Sequence, residues 1–282
     1  MTLLGIVAGA TGLIPFPRID PIALRLGPLA IRWYGLGYVA GLTLGWAILR
    51  RLVARDEPFG AVKRPDPAGI DDMLLYAAIG VVIGGRLGDA LFYEPGPYLR
   101  DPVELFRVWH GGMAFHGGLI GAALGLAIFA RRQGLRVLAT WDLAALVAPI
   151  GIFIVRIANF IKPELWGRPT DVPWAMIFPG ADGQPRHPSQ LYEAGLEGLA
   201  TFVVVSLAAW RFRALRRPGL VTGLFAACYG AARIASEFFR DPDPVTERLA
   251  HGLTMGMVLS APLILIGIFL IVRAKAAAAS DS

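Results

Sequence analysis

The chain has 282 residues, of which 55% are hydrophobic and 17% charged, and its formal net charge is +6 at pH 7. A soluble domain carries more charge, about a quarter of its residues, so this composition argues against a soluble globular protein and indicates a polytopic membrane protein. The positive charge does not indicate a nucleic-acid partner, because basic residues of membrane proteins gather in cytoplasmic loops and near anionic headgroups.

Hydropathy divides the chain into apolar stretches. The first, at 3–16, has no basic residues before it and is interrupted by glycine and proline, so we interpret it as an interfacial segment rather than a signal peptide. Seven further stretches approach the roughly 20 residues that cross a bilayer. They cover about 31–49, 73–93, 113–129, 141–161, 191–210, 220–239 and 253–272.

This pattern predicts an all-α, polytopic membrane protein with about seven transmembrane helices in a single domain, 1–282. Proline-rich connections separate several of the helices. An external loop region is predicted between the fourth and fifth helices, at about 162–188, and a flexible C-terminal tail at about 274–282.

The distribution of lysine and arginine predicts the orientation of these helices. After the first, third and fifth stretches and at the C-terminal end, 14 basic residues fall on one side of the membrane, and 10 fall on the other. Because short basic loops stay in the cytoplasm, the N-terminus is predicted outside and the C-terminus in the cytoplasm. Three further arginines, Arg86, Arg156 and Arg233, lie inside apolar stretches.

These three arginines are candidate functional residues, because a charge at the centre of a membrane helix costs about 2.5–3.5 kcal/mol on insertion scales. Arg86 lies in GGRLGD (84–89), three residues before Asp89 and therefore on the same helix face. Two interpretations stay open: a local ion pair between glycines that allow close helix packing, or part of a site.

Arg233 begins RIASEFFRDP (233–242), four residues before Glu237 and seven before Arg240, so the three form a charged stripe. One interpretation is an internal salt bridge. The other is a phosphate-binding arginine held by a carboxylate, because a guanidinium matches two phosphate oxygens with parallel hydrogen bonds.

The most specific stretch is RIANFIKPELWGRPTD (156–171). Arg156 and Asn159 lie three residues apart at the outer end of the fourth helix, Pro163 ends that helix, and Glu164 and Gly167 follow. An arginine alone could extend to the headgroups, but this combination at a helix-to-loop break predicts a shaped polar pocket at the interface.

His116 and Tyr34 are predicted at the same depth. His116 lies in HGGMAFHGGLIGAALG (110–125), near the outer end of the third helix, and Tyr34 lies near the outer end of the first. A lone histidine is usually a structural residue, but its predicted neighbours favour a role in a site. The surrounding glycines would let backbone or lipid approach closely.

Other features narrow the functional classes. Cys228 is most simply a small buried hydrophobe, and the four histidines contain no i,i+4 pair of metal-ligand type. We therefore expect no metal and no cofactor. Alternatives left open are a transporter or channel for anionic lipid or solute, a lipid-headgroup transferase with another acceptor, and a non-catalytic scaffold. Transport is weakened because polar residues become fewer towards the cytoplasmic end of the predicted bundle and no internal repeat is present.

Six stretches, in this order, resemble those of bacterial prolipoprotein diacylglyceryl transferases. They are WYGL (33–36), GGR (84–86), FHGGLIG (115–121), RIANFIKPELWGRPTD (156–171), RHPSQLYE (186–193) and YGAARIASEFFR (229–240). The resemblance covers nearly the whole chain, and the family also has seven spans with an external N-terminus.

The resemblance implies transfer of the diacylglyceryl group of phosphatidylglycerol to the lipobox cysteine of a prolipoprotein signal peptide, in the bacterial cytoplasmic (inner) membrane. The product is a thioether, glycerol phosphate is released, and the active site faces the outer leaflet. The implied partners are these two substrates and membrane lipids, without nucleic acid. The functional positions of the family fall on Tyr34, His116, Arg156, Asn159, Glu164, Gly167, Arg233 and Glu237.

We therefore predict catalytic and substrate-binding residues. The predicted catalytic residues are His116, Arg156, Arg233 and Glu237. The predicted substrate-binding residues are Tyr34, Arg86, Arg156, Asn159, Glu164 and Gly167. In this scheme the arginines bind phosphate, and His116 is the candidate base for a thiol whose ordinary pKa is about 8.5. Alternatively, the arginine field alone lowers the pKa of the thiol and His116 only positions a substrate.

The chain departs from the family pattern at three places. Val155 stands where glycine is common, Lys162 stands where asparagine is common, and the segment between Pro179 and His187 is short. We expect the first two to alter packing near Arg156 without removing the function, and the third to shorten the external arm.

Overall fold

A computed structural model of the protein describes residues 14–17, 19–93, 95–241 and 253–280. Within these ranges seven long helices overlap the seven predicted stretches. They are α1 (Trp33–Val53), α2 (Gly69–Gly88), α3 (Phe115–Arg132), α4 (Val137–Ile161), α5 (Ser189–Arg211), α6 (Leu220–Glu237) and α7 (Met255–Ser280). Most of the predicted interfacial segment at 3–16 lies outside the described residues.

Five of these helices are long and apolar enough to cross a bilayer. They are α1, α2 with its extension to Phe92, α4, α5 and α7. This finding indicates a multi-pass membrane protein, whereas seven spans and their orientation stay predictions. Helix α7 continues to Ser280, so part of the predicted C-terminal tail is helical.

The prediction of a purely helical chain was wrong before α1. Two short antiparallel strands, β1 (Ile22–Leu26) and β2 (Leu29–Arg32), form a hairpin whose second strand leads directly into α1. The hairpin turn contains Gly27 at φ +60°, a left-handed conformation that glycine adopts without steric cost. Hydropathy alone does not reveal this hairpin because its strands are short and largely exposed.

Glycines bring α2 and α3 into backbone contact, as the sequence predicted for the glycines around Arg86 and His116. The contacting glycines repeat at every fourth position: Gly80, Gly84 and Gly88 on α2, and Gly117, Gly121 and Gly125 on α3. A Cβ on Gly84 would collide with the carbonyl oxygen of Gly117. Small residues at this spacing let membrane helices approach closely.

We predict that Gly121→Ala destabilises the protein and that Gly195→Ala does not. A Cβ at Gly121 would overlap the carbonyl of Gly80, whereas a Cβ at Gly195 meets open space. Overpacking of this kind costs about 1–3 kcal/mol, and alanine in an open helical position is neutral or favourable by up to about 1 kcal/mol. Thermal unfolding in detergent measures both variants, and equal midpoints would contradict the close α2–α3 contact.

Helix α4 lies at the centre of the bundle and packs against α1, α5 and α6. Near its first turn the buried carboxylate of Asp142 accepts hydrogen bonds from the backbone N–H groups of Gly219 and Thr222, both at 2.7 Å. A side chain of α4 thus caps the start of α6. This cap joins the two helices at the end opposite to Arg156 and Arg233.

The segment 162–188 between α4 and α5 is folded back on itself. Met176 and Arg186 exchange two backbone hydrogen bonds of 3.0 and 2.9 Å, and the N–H of Gly167 donates to the carbonyl of His187 at 2.9 Å. Met176 and Phe178 pack with Phe160 of α4 in a small apolar cluster. The predicted loop region is therefore a packed element at the end of α4.

Candidate active site

Three arginines and three glutamates meet at one end of the bundle. We refer to them as the charge cluster: Arg156 on α4, Glu193 and Glu197 on α5, Arg233 and Glu237 on α6, and Arg240 just after α6. Arg156 lies 2.7 Å from Glu193 (Nη1 to Oε2) and 3.0 Å from Glu197 (Nη2 to Oε2). One guanidinium of α4 thus contacts two carboxylates of α5.

Arg233 contacts the same two carboxylates from the opposite helix. Its Nη1 lies 3.3 Å from Oε1 of Glu197 and 3.5 Å from Oε1 of Glu193. Its Nη2 pairs with Glu237 one turn further along α6, so the salt bridge predicted between these two residues is formed. Arg240 adds a contact of 3.2 Å to Glu193.

The electrostatics of the charge cluster follow from its burial. The side chains of Glu193 and Glu197 are 0% exposed, and those of Arg156 and Arg233 are 16% and 15% exposed. Buried charges are tolerated only when they are paired, because desolvation costs several kcal/mol per ion. Three formal positive charges here face three formal negative charges, so the cluster is balanced.

Glu193 and Glu197 are not among the site residues predicted from the sequence. The available signal was their spacing of four residues within an apolar stretch, where carboxylates are functional by default. The local backbone could not be anticipated: residues Ala194–Ala200 form a π-helix within α5, a feature that often marks functional sites. Gly198 in this turn packs directly on Phe153 of α4, which brings Glu197 close to Arg156.

A second polar group adjoins Arg156 at the end of α4. The Nδ2 of Asn159 donates to Oε1 of Glu164 at 2.8 Å, and Nζ of Lys162 pairs with Oε2 of Glu164 at 2.6 Å. Lys162 also lies 5.8 Å from the ring centroid of Tyr34, a cation–π contact. The departure from the family pattern at Lys162 therefore connects two predicted site residues, Glu164 and Tyr34.

Tyr38 belongs to this group but was not predicted. Its hydroxyl lies 3.2 Å from that of Tyr34, one turn earlier on α1. The signal available in the sequence was the i,i+4 spacing of two tyrosines at the end of an apolar stretch.

The loop 164–167 is fixed by the start of α5. The side chains of Gln190 and Ser189 donate to the carbonyls of Glu164 and Leu165 at 2.6 and 2.9 Å. Leu165 has φ +58°, which is rare for a bulky side chain and stores strain. These bonds hold Glu164 in its strained loop beside Asn159.

Gly167 has a steric reason to be glycine. A Cβ at this position would overlap the side chain of His187 and the carbonyl of Phe239. His187 packs edge-on against Phe239 and shares a hydrogen bond of 3.1 Å with the hydroxyl of Tyr192. Partial burial lowers the pKa of His187, which favours the neutral imidazole.

Arg86 lies in a separate group, away from the contacts of the charge cluster. It is 3% exposed, and its guanidinium donates to backbone carbonyls of the connection between α2 and α3 and to Tyr98. The accepting carbonyls belong to Glu104, Leu105, Arg107, Gly111 and Gly112. This arrangement favours a role in holding the loop, and direct substrate binding by Arg86 stays a prediction.

Arg86 and Asp89 are linked through Tyr98 instead of pairing directly as one interpretation of the sequence proposed. The hydroxyl of Tyr98 accepts from Nη1 of Arg86 at 2.8 Å and donates to Oδ2 of Asp89 at 2.7 Å. Residues Asp89–Tyr93 form a π-helix that ends α2, which changes the helical register at Asp89.

His116 occupies the first turn of α3 in an exposed position, four residues after Gly112. Its role as a base stays a prediction. Cys228 is a free thiol, partly buried in α6. Across the described ranges, no group of three or more His, Cys, Asp or Glu side chains is arranged to hold a metal ion.

Comparisons with known proteins identify the family. The model of the prolipoprotein diacylglyceryl transferase family matches residues 21–273. Three relatives named phosphatidylglycerol–prolipoprotein diacylglyceryl transferase come from Methylocella silvestris, Beijerinckia indica and Rhizobium meliloti. They are 59%, 56% and 51% identical over 92%, 93% and 97% of this chain and 94%, 96% and 99% of their own lengths. The resemblance found in the motifs is thereby confirmed, and the chain belongs to the prolipoprotein diacylglyceryl transferase family.

Proposed function

We propose that this protein transfers the sn-1,2-diacylglyceryl group of phosphatidylglycerol to the thiol of a prolipoprotein lipobox cysteine. The carrying observation is the convergence of Arg156 and Arg233, from the two different helices α4 and α6, on one buried charge cluster. The names of its relatives, which cover the chain almost completely, support the same reaction.

The reaction needs a stabilised phosphate leaving group and a deprotonated thiol. The thiolate sulfur attacks the glyceryl carbon that carries the phosphate, an S–C bond forms, and the C–O bond breaks to release glycerol phosphate. No protein nucleophile is required, so Cys228 need not take part. Arg156 and Arg233 stabilise the charge that develops on the phosphate, an effect worth several kcal/mol in a water-poor site.

The neighbouring residues support these arginines. Glu237 holds Arg233 through their ion pair. Asn159 and Tyr34 offer hydrogen bonds to glycerol or phosphate oxygens, and Glu164 orients Asn159 at 2.8 Å. Gly167 allows the loop after α4 to pack against Phe239 and His187.

We further propose that all seven helices span the bacterial cytoplasmic membrane, with the N-terminus outside and the C-terminus in the cytoplasm. The charge cluster then faces the outer leaflet. Support comes from five helices that are long and apolar enough to cross a bilayer and from basic loops that share one side. A signal peptide would reach the cluster laterally from the membrane.

Two-substrate transfer is the test of this function. Purified protein is mixed with a lipobox peptide and vesicles of phosphatidylglycerol or, as the control, phosphatidylethanolamine. With phosphatidylglycerol vesicles, we expect the mass of the peptide to increase by that of diacylglycerol less one water, and glycerol phosphate to be released. With phosphatidylethanolamine vesicles, we expect neither product. A peptide with serine in place of cysteine should stay unmodified. Absence of product from the wild type, where a relative is active in parallel, would refute the proposal.

The role of His116 is tested in the same assay. If its imidazole removes the thiol proton, His116→Gln should lower kcat by about 10²–10⁴-fold, the usual contribution of a general base. Retained activity would indicate that the arginine field alone generates the thiolate and that His116 positions a substrate.

A further inference from the structure

The space between Arg156 and Arg233 is occupied by protein carboxylates. Glu197 directs Oε2 to Nε and Nη2 of Arg156, at 3.3 and 3.0 Å, and directs Oε1 to Nη1 of Arg233 at 3.3 Å. One carboxylate therefore bridges the two guanidinium groups with separate oxygens. A phosphodiester with two non-bridging oxygens would use the same donors in the same way.

The charge balance of the cluster disfavours the binding of a further anion while Glu197 stays in place. The three arginines are already matched by three glutamates, so the cluster offers no net positive charge to an anionic lipid. A phosphodiester adds a further negative charge at a few ångströms from Glu197. Like charges at such separations repel strongly in a buried site.

The two carboxylates of α5 differ in how firmly they are held. Glu193 contacts Arg240 at 3.2 Å in addition to the two arginines. Glu197 contacts Arg156 and Arg233 from within the π-helix Ala194–Ala200. Because Glu193 contacts three arginines and Glu197 only two, Glu197 can move away at lower cost.

We propose that Glu197 is a positioning residue that acts as an internal substitute for the substrate phosphate. Before substrate binds, its carboxylate holds Arg156 and Arg233 at a common spacing, and an arriving phosphodiester takes over these donors. This inference rests on the proposed function. It makes Glu197 both an organiser of the arginines and a competitor of the substrate.

The two roles predict opposite effects on binding and turnover. Glu197→Gln keeps the size of the side chain but removes the competing charge, so the KM for phosphatidylglycerol should fall by about tenfold. The kcat should also fall, because the arginines lose the ion pairs that align them. A residue that merely stabilised the fold would give an unchanged or higher KM.

The experiment compares four proteins: wild type, Glu197→Gln, Glu197→Asp and Glu57→Gln. Glu57 is exposed and pairs with Arg213 at 3.2 Å in the predicted cytoplasmic loops, so its change controls for net charge on an anionic bilayer. KM and kcat are measured with phosphatidylglycerol, and calorimetry measures the binding of glycerol phosphate, with glycerol as the neutral control. Glu197→Asp retains the competing charge and should bind glycerol phosphate within about threefold of wild type.

Tighter glycerol phosphate binding in Glu197→Gln, with no change in Glu57→Gln, supports the inference. Weaker or equal binding in Glu197→Gln overturns it. If Glu197→Gln does not fold, tighter binding in Glu197→Asp would overturn it too, because the competing charge is retained there. Absence of transfer activity in the wild type would refute the proposed function. The binding comparison would still test whether Glu197 competes with phosphate for the two arginines.

Discussion

Replacing Arg156 with lysine is expected to lower kcat/KM for diacylglyceryl transfer by at least about 10²–10³-fold, the usual cost of removing one donor to a developing anionic charge. Lysine keeps the positive charge but not the planar fork that contacts Glu193 and Glu197 together. Its three donors radiate from one nitrogen and cannot reproduce the spread of the guanidinium, so the two carboxylates are held less well and a phosphate bound there would lose its two parallel hydrogen bonds.

The alanine variant at this position should be less stable as well as inactive. Removing the guanidinium leaves two carboxylates that are 0% exposed with one partner fewer, and breaking a buried ion pair costs about 3–5 kcal/mol. Thermal unfolding in detergent measures this loss. The lysine variant should unfold closer to the wild type, which separates the catalytic effect from the loss of fold.

Arg50→Lys is the matched control for Arg156→Lys. Arg50 pairs with Asp71 at 3.2 Å near the opposite end of the bundle, and both side chains are partly exposed. An ion pair between exposed side chains contributes at most about 1 kcal/mol to stability. The transfer rate of Arg50→Lys should match the wild type. Wild-type activity in Arg156→Lys would contradict a phosphate-binding role for the guanidinium.

The sequence predicts this candidate site through the cost of burying charge. Arg156 and Arg233 are candidates because they lie in apolar stretches, and Asn159 and Glu164 are candidates because they surround a helix end marked by Pro163. Their partners on α5 were not identified, since which helices face each other is not encoded in local periodicity.

Local periodicity also fails to predict the partners of Arg86. Helical spacing suggested Asp89 as its partner, but α2 gives way to a π-helix at that residue. Besides the hydroxyl of Tyr98 and the carboxylate of Glu104 at 3.8 Å, the acceptors that Arg86 meets are backbone carbonyls of the loop 104–112. Every residue has a carbonyl, so no side-chain pattern in the sequence predicts such a partner.

Arg86→Lys is expected to loosen the loop 95–112 and to lower stability by about 3 kcal/mol or more. A lysine has three donors at one point, whereas the guanidinium of Arg86 spreads five N–H groups over acceptors from Glu104 to Gly112. Each buried carbonyl left without a donor costs about 1–3 kcal/mol. Hydrogen exchange of loop amides and thermal unfolding measure the change.

The control for this substitution is Arg107→Lys, in the same loop. Arg107 is 37% exposed and pairs with Asp101 at 2.9 Å and Glu104 at 3.1 Å, so lysine should preserve most of its effect. Because the loop leads through Gly111 and Gly112 into the turn that carries His116, loosening it should also reduce transfer. If Arg86→Lys kept wild-type exchange and unfolding yet lost transfer, Arg86 would contact substrate, as the sequence predicted. Loss of loop protection together with transfer would instead make Arg86 the residue that positions the start of α3.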